Sequence, residues 1–116
     1  ANEAYDAKTA IRLAKGLADH GVDIFEQPVP RDQIDALWEV KQHSPIKIEA
    51  DQSCRNFADA QMLIKNRIVD SINTGIAKAV ALWKCGGSPS YASKMVFAAR
   101  CRTPLAAWSA MRRPCI

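Results

Sequence analysis

Apolar positions alternate between two spacings along the first 74 residues of this chain. Ala7, Ala10, Ile11, Ala14, Leu17 and Ala18 recur at intervals of three and four, the period of one helical face. Asp6 stands where an N-cap belongs, and Gly21 stands where a chain leaves a helix through a left-handed residue. This face is narrow and rich in alanine, which suits close packing on a sheet. Residues 22–26 then form a short apolar run that reads as a buried strand, closed by Pro28 and Pro30. Helical spacing returns over residues 32–43, with Ile34, Leu37 and Trp38 read as one core-facing set, and Pro45 ends it. Residues 46–50 read as a second strand. Asn56 caps a third helix over residues 57–65, with Asp59 near its positive end. Residues 68–74 read as a third strand.

Helix and strand in short alternation predict an α/β fold of parallel βα units, about three of them. The connections are as short as such units require. From Val80 the periodicity fails. Cys85-Gly86-Gly87-Ser88-Pro89-Ser90 is loop-like, and the remaining C-terminal tail mixes Ala, Arg, Trp and Pro without a clean period.

Charge sharpens this division. The chain has 116 residues, 16 Lys and Arg, and 12 Asp and Glu. All the acids lie in residues 1–79, which net −2, whereas residues 80–116 net +6. A basic tail raises a nucleic-acid or anionic-membrane reading, but no repeat or fold supports a nucleic-acid partner. No apolar run reaches the roughly 18 residues needed to cross a membrane, and no signal peptide is expected from the first residues. The cysteines are Cys54, Cys85, Cys101 and Cys115, without CxxC spacing, so neither a disulfide framework nor a zinc site is predicted. A cytoplasmic location follows as the default, and Cys54 reads as an inert thiol. His20 and His43 stand at helix C-termini, where a cation is mildly favoured.

Two carboxylates carry the chemistry. Glu26 ends the first strand and Asp51 follows the second, each just past a short apolar run. Carboxylates at the same end of neighbouring parallel strands are how a barrel enzyme builds a divalent-metal site. Lys47, Glu49 and Asp51 alternate onto one face of the second strand, so Glu49 competes with Asp51, and register favours Asp51.

The ordered set Ala1-Asn2, Glu26-Gln27-Pro28, Ala50-Asp51-Gln52-Ser53, Asp70-Ser71-Ile72-Asn73 and Lys78-Ala79 resembles the catalytic barrel of the mandelate racemase/muconate lactonizing enzyme family, in the enolase superfamily. Each tripeptide is weak alone; the order and spacing make the set specific. The resemblance implies a fragment of a (β/α)8 TIM barrel over residues 1–79. It implies Mg2+ held by three carboxylates, of which Glu26 and Asp51 are two, and abstraction of a proton alpha to a substrate carboxylate. Substrates would be small carboxylates or acid sugars, the class isomerase or lyase, and the parent a homo-oligomer. Such a proton is weakly acidic because the resulting anion concentrates charge on both carboxylate oxygens. A dication facing them lowers that cost. Asn2, Gln52 and Asn73 are implied as hydrogen-bonding supports of the site.

The departures shape the expectation as much as the matches. The family's first metal-ligating Asp would precede Ala1, and its strand-two lysine would lie further upstream. The usual strand-six lysine falls on Gly75, and Lys78 matches the second lysine, a weaker candidate for chemistry. Gln52 replaces a usual Glu. One base suits dehydration or cycloisomerisation better than two-base racemisation. Codons for residues 79–116 can be chosen so that a shifted frame reads Gly-Gly and then an amphipathic helix. Residues 80–116 are therefore expected to be a frameshifted or non-native tail. The isolated chain is expected to be unstable, metal-poor and inactive, and whether it is itself an enzyme stays open. The alternatives are a basic-tailed nucleic-acid module and a non-functional pseudogene product.

Overall fold

The computed structural model describes residues 1–73. Helices and strands alternate along the chain: α1 (Ala7–Asp19), β1 (Ile24–Glu26), α2 (Ile34–His43), β2 (Lys47–Ala50), α3 (Phe57–Lys65) and β3 (Ser71–Ile72). The strands form one parallel sheet in the order β1-β2-β3. No helix among the described residues is long and apolar enough to cross a membrane. The predicted tail, and Lys78 and Gly75 with it, lie outside the described residues.

Local chemistry sets the boundaries. The Asp6 carboxylate accepts from the Thr9 backbone N–H at 2.8 Å, which satisfies one of the donors left free at a helix start. His20 caps the other end of α1 and Gly21 follows at φ 75°, where a side chain would be strained. The helix buries Ala10 and Ala14 completely, as a narrow alanine face should. The second helix begins later than expected, at Ile34 rather than residue 32. A turn in which the Gln33 N–H donates to the Pro30 carbonyl occupies the preceding residues. Asn56 caps α3 through the Asp59 N–H at 2.9 Å. His20 and His43 each donate from Nδ1 to the carbonyl four residues back, Gly16 and Glu39, which closes the last helical turn.

The core lies between the helices and one face of the sheet. Phe25, Leu37, Val40, Ile48, Ala50, Leu63 and Val69 are its main members. Trp38 is not among them: it is 47% exposed, whereas Leu37 is fully buried. The buried stripe of α2 runs through Leu37 and Val40. One residue beyond Leu37 the helix has turned about 100° away from that stripe, which carries the indole into solvent. Cys54 is a buried thiol.

Asp70 fastens the start of β3 to β2. Its N–H donates to the Ile48 carbonyl at 2.8 Å, and its Oδ2 accepts from the Ile48 N–H at 2.9 Å. Lys41 at the end of α2 donates to the Arg67 carbonyl at 2.8 Å and lies 3.6 Å from the Asp70 carboxylate. The third strand starts later than predicted, at Ser71 rather than residue 68, and residue 74 lies outside the described residues; Arg67, at φ 53°, turns the chain just before Ile68. Ile68 and Val69 then enter the core, with Val69 fully buried, before the strand ladder begins at Ser71.

Candidate active site

All three strands end on the same side, and most of the predicted residues gather there. Partnered residues on parallel strands project to one face. Register pairs Glu26 with Glu49 and Glu49 with Ser71, so these three form a row across the sheet on the face away from the helices. Asn73 extends the ladder, its N–H donating to the Ala50 carbonyl at 2.7 Å. The Asn73 side chain reaches across β2, and its Nδ2 donates to Glu26 Oε1 at 3.1 Å. That bond orients one oxygen of the Glu26 carboxylate.

Register bears on the choice between Glu49 and Asp51. Glu49, not Asp51, stands opposite Glu26. Glu49 is only 6% exposed, however, and its Oε1 takes the Ser71 hydroxyl at 3.0 Å. Asp51 opens the loop after β2 and is half-buried at the mouth. Lys47, on the same strand face, is exposed at the opposite end.

Asn2 and Gln52 meet each other: Gln52 Nε2 donates to Asn2 Oδ1 at 3.2 Å. The Gln52 Oε1 atom is buried without a hydrogen-bond partner among the described residues.

Gln27 is the residue that sequence reasoning passed over. It was visible only as the middle of Glu26-Gln27-Pro28. Its side chain is fully buried and makes four hydrogen bonds. Nε2 donates to the Val29 carbonyl at 2.9 Å and to Ser53 Oγ at 2.8 Å. Oε1 accepts from the Asp51 N–H at 3.0 Å and from the Ser53 N–H at 3.1 Å. The Ser53 hydroxyl donates onward to the Arg31 carbonyl at 3.0 Å.

Arg31 closes the rim. Its Nε and a terminal nitrogen donate to the two oxygens of Glu3 at 2.8 and 2.6 Å, and its backbone N–H donates to Glu3 at 2.7 Å. The Arg31 guanidinium holds the Glu3 carboxyl below its usual range, and Glu3 in turn raises Arg31. Ala1, Glu3 and Tyr5 donate from their backbone nitrogens to the carbonyls of Glu26, Gln27 and Pro28 at 2.6, 2.9 and 3.0 Å. The first residues therefore line the outer side of the β1 mouth. Asn2, Glu3 and Gln27 all carry positive φ, at 54°, 67° and 34°. Three non-glycine residues in that region, converging at one end of a sheet, mark a place where local strain is held by surrounding bonds.

A family model described as enolase C-terminal domain-like matches residues 1–87. The chain belongs to that family. The resemblance read from the motifs therefore holds, and the relatives are epimerases and cycloisomerases of the mandelate racemase/muconate lactonizing enzyme group. An L-Ala-D/L-Glu epimerase from Thermotoga maritima is 38% identical over 89 residues, covering 71% of this chain and 26% of the relative. A solved dipeptide epimerase from Enterococcus faecalis, complexed with Mg and L-Leu-L-Tyr, is 38% identical at a TM-score of 0.63, covering 75% of this chain and 23% of that one. The muconate lactonizing enzyme of Pseudomonas putida superposes at a TM-score of 0.67 with 27% identity, covering 89% of this chain and 27% of that one. The chain thus spans about a quarter of the length of these relatives. The family match runs past residue 79 and takes in Lys84-Cys85-Gly86-Gly87.

Proposed function

We propose that residues 1–87 carry part of the barrel active site of a Mg2+-dependent enzyme that abstracts the proton alpha to a substrate carboxylate, with Glu26 and Asp51 as two metal ligands. The observation that carries this reading is the Glu26 carboxylate at the mouth of the sheet, oriented by Asn73 and beside the Asp51 loop. The whole protein would be a cytoplasmic homo-oligomer acting on small carboxylates, with dipeptides and muconate-like acids as the classes suggested by its relatives. The nucleic-acid reading has no support from those relatives.

The donor chemistry fits the ion. Mg2+ takes hard oxygen ligands, commonly one or two carboxylates with water completing the shell. Among the described residues no three His, Cys, Asp or Glu side chains sit close enough to hold a metal. Glu26 and Asp51 therefore supply part of the set. When bound, the dication would stabilise the charge that develops on the substrate carboxylate oxygens. Asn73 holds Glu26 in place for this, and the buried Glu49–Ser71 pair fills the layer beneath.

Lys84-Cys85-Gly86-Gly87 spells the family's Lys-x-Gly-Gly, so Lys84 fits the second-lysine position better than Lys78. The family segment then runs to residue 87, and the foreign-tail boundary at 79 moves with it. Under the first alignment the strand-six lysine position is Gly75. Three residues before Lys84 stands Ala81. Neither alignment places an amine there, so the base comes from elsewhere in the whole protein.

The test is a chimera. Residues 1–73 would replace the matching segment of the Thermotoga maritima epimerase. Exchange of the substrate alpha proton with deuterated solvent would be followed by NMR in the presence of Mg2+. Retained exchange that Glu26→Gln or Asp51→Asn abolishes is the expected result. A folded chimera whose exchange survives both substitutions would sink the assignment.

A further inference from the structure

We infer that Gln27 is a positioning residue that fixes the separation of Glu26 and Asp51; this rests on reading those two carboxylates as the metal ligands. A primary amide offers two donor hydrogens and an oxygen with two acceptor sites, and all four are used here inside the protein. Two of the bonds go to the backbone N–H groups of Asp51 and Ser53, across the gap between the loop after β1 and the loop after β2. The Gln27 main chain is pinned as well, its N–H donating to the Glu49 carbonyl at 2.8 Å and its carbonyl accepting from Glu3 at 2.9 Å. The residue next to one carboxylate therefore holds the backbone of the other.

Alternative side chains cannot repeat this. Glu would keep the two acceptor bonds, lose both donors and bury a charge. Asn is one methylene too short. Ala would leave the Asp51 N–H and the Ser53 N–H without their acceptor, and the Ser53 hydroxyl with only its bond to the Arg31 carbonyl, at a cost of roughly tenfold in local opening. The loop after β2 would keep its own Cys54 N–H to Asp51 carbonyl bond at 3.1 Å, but its tie to β1 would be gone. What changes is then the geometry between two ligands more than the core.

The experiment uses the full 116-residue chain, labelled with nitrogen-15, for amide exchange, and the labelled chimera with the Thermotoga maritima epimerase, which supplies the remaining ligands, for the metal titration. Amide hydrogen exchange at Asp51 and Ser53 is measured first, and paramagnetic broadening at Glu26 and Asp51 is then followed during a Mn2+ titration. In the parent chain both amides are protected, and in the parent chimera Glu26 and Asp51 broaden together. In Gln27→Ala, exchange at Asp51 and Ser53 rises about tenfold above the change at Val40, and the two broadening curves separate. Ser53→Ala, which removes the hydroxyl and its bonds to Gln27 and Arg31 but leaves both acceptor bonds of the amide oxygen, gives a smaller shift in the same direction and serves if Gln27→Ala does not fold. Leu63→Ala, a core change remote from the mouth, raises exchange broadly and leaves the two curves together. Unprotected Asp51 and Ser53 amides in the parent, exchange in Gln27→Ala within twofold of the parent, or curves that separate equally in Leu63→Ala overturn the inference. If exchange responds to Gln27 but Mn2+ never broadens Glu26 and Asp51 together, the ligand reading fails. Gln27 is then only a loop fastener, and the positioning role falls with it.

Discussion

Leu37→Ala and Trp38→Ala, one residue apart on α2, should differ in cost by several-fold. Leu37 is fully buried in the core that joins α1, α2 and the sheet. Its truncation removes three carbons, about 2.4 kcal/mol of transfer free energy at ~0.8 kcal/mol per methylene. The unfilled cavity adds to this, so about 3 kcal/mol is expected, inside the range seen for buried Leu→Ala changes. For a unit of this size each kcal/mol moves Tm by roughly 4–8 °C, which predicts a fall of about 12–24 °C. Trp38 is 47% exposed, and a surface substitution of that kind stays within about 0.5 kcal/mol when no other feature is touched. The assay is far-UV circular dichroism with temperature and, if the parent melts near ambient, with urea at 5 °C. A Leu37→Ala midpoint within 3 °C of the parent, or a Trp38→Ala loss as large as that of Leu37→Ala, would refute the phase assigned to α2.

Asn56→Ala should destabilise the chain by about 1 kcal/mol through loss of the α3 cap, while Asn56→Asp restores most of it; urea midpoints would show this. Glu3 is held below its usual range by Arg31, and Asp6 by the Thr9 N–H and then its hydroxyl. Their folded pKa values are depressed, so their contribution is present above the unfolded values near pH 4 and is lost as pH falls through the folded ones. Stability measured from pH 5 to pH 2 should decline less steeply in the Glu3→Gln, Asp6→Asn double variant, and an unchanged slope would count against both bonds. Cys54 should resist a thiol reagent in the native chain and react in urea, as read by peptide mass. Native labelling at Cys54 would mean that the loop after β2 opens readily.

Much of this architecture was written in local signals. Asp6, Gly21, Asn56 and Pro45 each act within a few residues of themselves, and each marks the boundary expected of it. Glu26 and Asp51 could be placed at strand ends because the motifs fix sequence distance. The strand register could not be read that way. It depends on bonds such as Ile48 to Asp70, which join residues 22 apart, and it sets Glu49 opposite Glu26. Trp38 was misread because three apolar residues on a helix define a stripe only when its centre is known, and Val40 supplies that centre. Gln27 was missed for a related reason. A glutamine between Glu26 and Pro28 gives no hint that four hydrogen bonds to three residues in two loops will bury it.

The short segment from Asp70 to Asn73 divides its labour by position. At about 3.3 Å per residue, its two polar ends stand roughly 10 Å apart. One fastens the strand's entrance to β2, and the other steadies Glu26 at its exit. Mutational sensitivity along these four residues should therefore split into two kinds. Damage at Asp70 would show as less folded protein, with normal behaviour in whatever remains. Damage at Asn73 would leave the yield intact and alter only what the mouth can hold. In this chain one short motif ties assembly of the sheet to the orientation of Glu26, so a change within it should rarely be silent in both respects.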